Sequence, residues 1–188
     1  INHSSELNPI LIPATLPFLS RLMPMFYVSR EKAFYLSDTK KRLILRWIFY
    51  GGNIFKLWGA YPATVGTGDY DLALRHHIKI LNNGRSVCIF PEGKITRDGL
   101  IGEGKPGVAY LLWRTGVPVV PVAIRGDYRI SFREFLFRKR TITVSYGLPI
   151  ASSGVFETAL KEGRPPTLEE LKNATNLIMA RIRALWEA

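Results

Sequence analysis

The chain has 188 residues, 47% apolar and 22% charged, which fits one folded body with a sizeable core and excludes a disordered chain. A formal net charge of +11 calls for an anionic partner: nucleic acid, a phosphorylated substrate or an acidic membrane face. No Cys/His zinc spacing or RNA-binding signature argues for nucleic acid. No run of about 18 uncharged apolar residues is present either, so nothing here reads as a transmembrane span. The most apolar stretch, 43–60, is broken by Arg46, Asn53 and Lys56.

The chain opens at Ile1-Asn2-His3 without a signal peptide. Residues preceding it, and any anchor they carry, are expected to be missing. Ile1-Asn2 reads as the last step of a strand. A helix is then expected to about residue 19, capped by Ser4 or Ser5 and with Pro9 in its first turn. Residues 25–29 form a short apolar strand candidate. Residues 40–58 carry Leu43, Trp47, Ile48 and Phe55 at helical spacing, with Gly51-Gly52 as a break or kink. A strand is expected over 60–65, then a turn at Gly66-Thr67-Gly68.

Asp69 is placed to cap a helix that Gly84 closes, with Leu72, Ile78 and Leu81 apolar. Residues 86–90 read as a strand buried on both faces. The single cysteine, Cys88, lies in that run, so it excludes an internal disulfide and reads as a small buried hydrophobe in a reducing compartment. Residues 91–107 form a glycine- and charge-rich loop, and 108–115 a helix ended by Gly116. Further strands are expected at 117–124, despite Pro118 and Pro121, and at 140–146. Residues 151–166 read as loop. Thr167 begins a final amphipathic helix with Glu169 and Glu170 in its first turn. Helices alternating with strands define an α/β fold with a mostly parallel central sheet flanked by helices, in one domain over 1–188.

Three places stand out chemically. His3 sits at a strand-to-helix junction beside Ser4, Ser5, Glu6 and Asn8. A histidine there can serve as a general base if a partner fixes its tautomer, although taken alone a histidine is more often structural. His76 and His77, on the predicted helix, lack such company and read as surface or packing residues. The second place is Phe90-Pro91-Glu92-Gly93-Lys94, where a buried strand ends in a turn carrying a carboxylate and a cation. Ligands of open α/β sheets bind at strand carboxyl ends, and Lys94, Arg97 and Lys105 follow in a loop able to approach a phosphate. An ordinary solvated loop is the alternative. The third place, Val117 to Ile124, is core that would shape the floor of a site.

Together these resemble the lysophospholipid acyltransferases related to 1-acylglycerol-3-phosphate acyltransferase. Asn2-His3-Ser4-Ser5-Glu6-Leu7-Asn8 looks like the family's first block, in which an aspartate follows the histidine five positions on. Gly59-Ala60-Tyr61-Pro62 aligns with the start of the second block. Phe90-Pro91-Glu92-Gly93 matches the third, and the run 117–124 the fourth. The resemblance implies that His3 takes the proton of an acceptor hydroxyl. The freed oxygen would attack the thioester of acyl-CoA or acyl-carrier protein directly, with no metal and no acyl-enzyme. Pro91, Glu92 and Gly93 would help form the acceptor site, with Lys94, Arg97 and Lys105 holding the acceptor phosphate. The implied substrates are a lysophospholipid and an acyl thioester, met at the cytoplasmic face of a membrane.

Two departures matter. The family's aspartate position holds Asn8, whose oxygen can accept from an imidazole but carries no charge. In serine proteases the same exchange costs about 10⁴-fold in turnover. Glu6 is an alternative partner if the turn brings it round. The arginine that usually ends the second block is Val65 here, with Lys94, Arg97 and Lys105 as candidate replacements and Arg30 and Lys32 as more distant ones. These departures motivate a competing expectation, a lipid-binding relative without turnover. Finally, Phe18, Leu19, Leu22, Met23, Met25 and Phe26 around Arg21 have the mixture of an interfacial surface. So do Phe132, Phe135, Leu136 and Phe137 among Arg133, Arg138, Lys139 and Arg140.

Overall fold

The computed structural model describes residues 1–5, 7–17, 19–30, 59–64 and 68–188. They form two compact units, Phe18–Ile89 on its own and Ile1–Pro17 together with Phe90–Ala188. The helix expected over 40–58, Val65 and the first two residues of the expected turn, 66 and 67, lie outside the described residues.

In chain order the elements are α1 (Asn8–Ala14), β1 (Met25–Arg30), β2 (Ala60–Ala63), α2 (Tyr70–Asn82), β3 (Ser86–Cys88), α3 (Gly107–Thr115), β4 (Val122–Arg125), α4 (Phe132–Leu136), β5 (Thr143–Tyr146), α5 (Glu157–Lys161) and α6 (Leu168–Glu187). A single 3₁₀ turn, Ser152–Gly154, precedes α5.

The unit Phe18–Ile89 is a parallel three-stranded sheet in the order β2-β1-β3, with Tyr27 opposite both Ala60 and Cys88. Parallel strands need a crossover, and α2 provides one by packing against β2 and β3. Asp69 starts α2 as expected, its side chain accepting the Leu72 N–H at 3.1 Å. The buried face of α2 is Leu74, His77 and Ile78, at i, i+3 and i+4. Leu72, read from the sequence as part of that face, is instead 45% exposed. Burial pushes the Cys88 thiol up to about 12, so it packs as an inert small side chain.

The other unit is built on α6. Both α3 and β4 pack against it, around a core that includes Leu112, Ile124, Ile178, Met179 and Ile182. Thr167 begins α6 with a reciprocal capping box to Glu170. β4 pairs with β5 antiparallel, Val122 opposite Tyr146, so this pair departs from the parallel rule of the other sheet. The strand expected over 117–124 is cut short. Pro118 and Pro121 offer no N–H to a ladder, and only the Val119–Ile150 bridge precedes Val122. The segment read as loop over 151–166 contains the 3₁₀ turn and α5. Helix α4, absent from the sequence reading, starts at a capping box between Ser131 and Glu134.

Helix α1 is also shorter than expected. Pro9 does sit in its first turn, but Leu7 precedes the helix without a side-chain cap. Neither Ser4 nor Ser5 is its cap residue: both hydroxyls donate to Asp127, and Ser5 Oγ accepts the Leu7 N–H at 3.3 Å, ahead of the helix. Among the described residues no helix is long and apolar enough to cross a membrane.

Candidate active site

The site lies entirely within the α6-based unit. It begins with Asn2, whose carboxamide pairs with both main-chain groups of Ile124, donating at 2.8 Å and accepting at 2.7 Å. One side chain thus does the work of a strand neighbour and pins the next residue beside β4. The His3 N–H donates to Glu92 Oε1 at 2.9 Å, and its carbonyl accepts the Thr96 N–H at 2.8 Å. The imidazole stacks on Phe90 with centroids 4.3 Å apart and planes 23° apart.

His3 Nδ1 lies 3.1 Å from Asn8 Oδ1. That oxygen also accepts the backbone N–H groups of Ser4 at 2.9 Å and Ser5 at 2.8 Å. A backbone N–H can only donate, so the contacted atom is the carbonyl end of the carboxamide. His3 Nδ1 therefore carries the hydrogen in the neutral ring, and Nε2 is the basic nitrogen. The other end of Asn8, Nδ2, donates to Asp127 Oδ2 at 2.7 Å.

Glu92 is buried, and both its oxygens are used: Oε1 by His3, Oε2 by the Gly102 N–H at 2.9 Å. It works as a brace between the loop 91–107 and the histidine. Gly93 has φ +65°, and a Cβ there would stand 3.0 Å from Lys105 Nζ, so glycine lets the lysine lie across the turn. The Lys105 N–H donates to the Pro91 carbonyl at 2.8 Å, closing that loop on itself. Next to Ser4 and Ser5 an open cleft of about 520 Å³ is lined in part by Arg97, Tyr128 and Arg129. The Tyr128 hydroxyl donates to the Arg97 carbonyl, and the Arg129 guanidinium lies 5.2 Å from the Tyr128 ring centre.

The fold thus joins His3, Asn8 and Glu92 directly, clusters Pro91, Gly93 and Lys105, and brings Arg97 to the cleft. Lys94 is exposed and does not line the cleft; it lies in the field of Asp98. The Asp98 carboxyl is held below its ordinary value mainly by the Thr96 hydroxyl, then by the Leu100 N–H. Glu6, Lys32 and Val65 lie outside the described residues. Sequence reading passed over Asp127, Tyr128 and Arg129. The available signal was their place, directly after the buried run that ends in β4 and Gly126, where a sheet presents its carboxyl edge.

Residues 1–125 match the family model described as Acyltransferase. Two curated relatives carry related names. The "1-acyl-sn-glycerol-3-phosphate acyltransferase BAT2, chloroplastic" of Brassica napus is 39% identical over 57 residues, 30% of this chain and 17% of that protein. The "Probable 1-acyl-sn-glycerol-3-phosphate acyltransferase" of Mycoplasma pneumoniae is 26% identical over 127 residues, 67% of this chain and 43% of that protein. The chain therefore spans less than half the length of either relative. Among solved structures, the 1-acyl-sn-glycerophosphate (LPA) acyltransferase PlsC of Thermotoga maritima superposes with a TM-score of 0.58 at 20% identity, over 98% of this chain and 62% of that one. That likeness defines the fold as the glycerolipid acyltransferase α/β type. With the family match over most of its length, the chain belongs to the acyltransferase family and is similar within it to the 1-acylglycerol-3-phosphate acyltransferases.

Proposed function

We propose that residues 1–188 act as one O-acyltransferase domain that moves a fatty acyl group from a thioester to the free hydroxyl of 1-acylglycerol-3-phosphate, giving phosphatidate. The observation that carries this reading is the His3–Asn8 hydrogen bond, which leaves Nε2 as the base; the cleft that Arg97 and Arg129 line reaches Ser4, the next residue in the chain. As the acceptor hydroxyl attacks the thioester carbonyl, its proton passes to His3 Nε2. The new C–O bond forms, the C–S bond breaks, and the imidazolium returns the proton to the departing thiolate. Ester and thiol are the products, and the histidine is regenerated. The donor is acyl-CoA or acyl-carrier protein. Arg97 and Arg129 suit the acceptor phosphate, because guanidinium pairs with phosphate oxygens through forked hydrogen bonds. Glu92 keeps the His3 backbone in register with the loop 91–107.

The acyl chain is drawn from a membrane surface, in keeping with Phe135, Leu136 and Phe137 standing exposed beside Arg133, Arg138, Lys139 and Arg140. We place the protein at the cytoplasmic face, peripherally or through an anchor outside this sequence.

The test is transfer from labelled oleoyl-CoA to lysophosphatidate in detergent, with the parent chain and His3→Ala. The variant is expected to stay folded and lose about 10²- to 10⁴-fold in turnover, the usual worth of a general base. Full turnover by His3→Ala would end the assignment of His3 as base. The neutral Asn8 favours one second reading, a relative that binds acyl-CoA or lysolipid without transfer. Tight binding with no product from the parent would support it.

A further inference from the structure

Resting on the acyltransferase reading, we infer that Asp127 is a positioning residue for His3, supplying through Asn8 the negative charge that Asn8 itself lacks. The carboxylate has moved one side chain outward, and Asn8 connects it to the imidazole.

The geometry fixes each link. Asn8 is fully buried, so its amide hydrogens need acceptors. Its Oδ1 end is held by the N–H groups of Ser4, Ser5 and the His3 ring. Its Nδ2 end is held by Asp127 at 2.7 Å. The carboxamide is therefore oriented twice, once from each end, and cannot flip without losing both sets of bonds. Asp127 is 1% exposed. Both of its oxygens accept from Ser4 Oγ, at 2.8 and 2.9 Å, and Oδ2 also accepts from Ser5 Oγ at 2.6 Å. Every one of these partners is a neutral donor. The carboxylate is built into the fold as an acceptor, and among the described residues no cation pairs with it.

Two consequences follow for His3. An amide whose N–H groups bond an anion is polarised, which makes its oxygen a stronger acceptor for the Nδ1 hydrogen. The same charge, acting in a buried setting, favours the imidazolium that forms when Nε2 takes a proton. Of the site's other charged groups, Glu92 accepts the His3 backbone N–H, and Arg97 and Arg129 line the neighbouring cleft. The Ser4 and Ser5 N–H groups set the direction of the carboxamide from one end, and Asp127 holds the other end and adds the charge.

The arrangement also predicts the effect of Asn8→Asp. With Asp127 present, that substitution sets two carboxylates at the separation of a hydrogen bond with no hydrogen between them. It should slow the enzyme, even though it restores the family's aspartate. Asn8→Asp combined with Asp127→Asn reverses the direction of the same bond, puts the charge directly on Nδ1, and should recover activity.

The experiment combines kinetics with nitrogen-15 NMR of the imidazoles, His3 being assigned by its loss in His3→Gln. In the parent, His3 is expected in the Nδ1–H form. Asp127→Asn should lower kcat about tenfold or more with little change in KM, and His3 should then titrate at lower pH than in the parent. The double exchange should be faster than Asn8→Asp alone. A parent His3 in the Nε2–H form would overturn the inference without any variant, as would unchanged His3 titration in folded Asp127→Asn. An Asn8→Asp chain faster than the double exchange would overturn it too. The NMR arms need no turnover. Absent transfer in every chain, with the expected His3 shifts, would reject the acyltransferase reading and leave the Asp127 link standing.

Discussion

Two histidines of this protein sit in opposite surroundings. His3 is half-buried, stacked on Phe90, with a carboxamide oxygen on one ring nitrogen and a carboxylate on its backbone N–H. His77, on α2 in the other unit, is completely buried, and among the described residues its ring makes no hydrogen bond of normal geometry. Backbone groups of Tyr27 and Tyr61 lie near enough to favour its proton, but burial outweighs them and lowers its pKa to about 4. His77 can be packed but cannot be charged at neutral pH, whereas His3 is surrounded by groups arranged to receive a charge. The residue type is the same; the supply of acceptors decides what it can do.

The largest expected effect attacks the backbone that delivers Asp127. Gly126 has φ +91°, and a Cβ there would lie 2.2 Å from the Thr141 carbonyl oxygen. Backbone on both sides leaves no side chain to yield. Gly126→Ala should therefore cost at least about 4 kcal/mol, as a clash added to a left-handed conformation. Urea unfolding would measure it, and a cost below about 1 kcal/mol would mean that the chain reaches Asp127 by another path.

This dependence on Gly126 also marks what a sequence can disclose. His3 and Asn8 are five residues apart, so one turn of chain brings them together, and their partnership is legible as a motif. Glu92 is legible as part of a block, but its task is not: it holds the backbone of a histidine 89 positions away. Asp127 bonds Asn8 across 119 positions, and no local pattern encodes that distance. The fold divides in the same way. Asp69 and Thr167 announce their helices because caps are local chemistry. The antiparallel pairing of β4 with β5 depends on which strands meet, and the shortening of β4 on where Pro118 and Pro121 fall against a ladder.

His77 gives the next effect, and its sign follows from the direction of its shift. The folded value is about 4 and the unfolded value 6.5, so between them the unfolded chain takes up a proton that the folded chain refuses. The contribution is complete above the unfolded value and is lost as pH falls through the folded one. That amounts to roughly 3 kcal/mol across the window. His77→Leu should flatten this part of the stability–pH curve relative to the parent. Equal slopes in the two chains would mean that the ring reaches solvent.

Glu92→Gln tests the His3 side at smaller cost. Glutamine has one carbonyl oxygen where Glu92 uses two, so either the His3 N–H or the Gly102 N–H must face an amide nitrogen. One buried donor left without a partner should cost about 2 kcal/mol. Turnover should fall as well, since the loop 91–107 loses its hold on the histidine. A stable but slow variant would show that the brace serves geometry more than folding.

Thr167→Ala is the mildest and the most discriminating. The α6 helix supports the back of the site: Arg183 Nη2 donates to the Gly102 carbonyl at 3.0 Å, and a Cβ at Gly104 would meet Met179 and Thr175 at 2.7 and 2.8 Å. Thr167, however, acts only at the first turn, through its bond to the Glu170 N–H at 3.2 Å. Glu170 keeps its pairing with Arg164, which holds its carboxyl down at about 2, so that turn retains one anchor. Removing the cap should cost about 1 kcal/mol in urea unfolding. The kcat/KM of folded protein should not move, because the helix positions Gly102 more than three turns further on. A fall in turnover matching that of Glu92→Gln would mean that α6 shifts as a rigid rod. His3 would then be held by the whole helix as well as by its own hydrogen bonds.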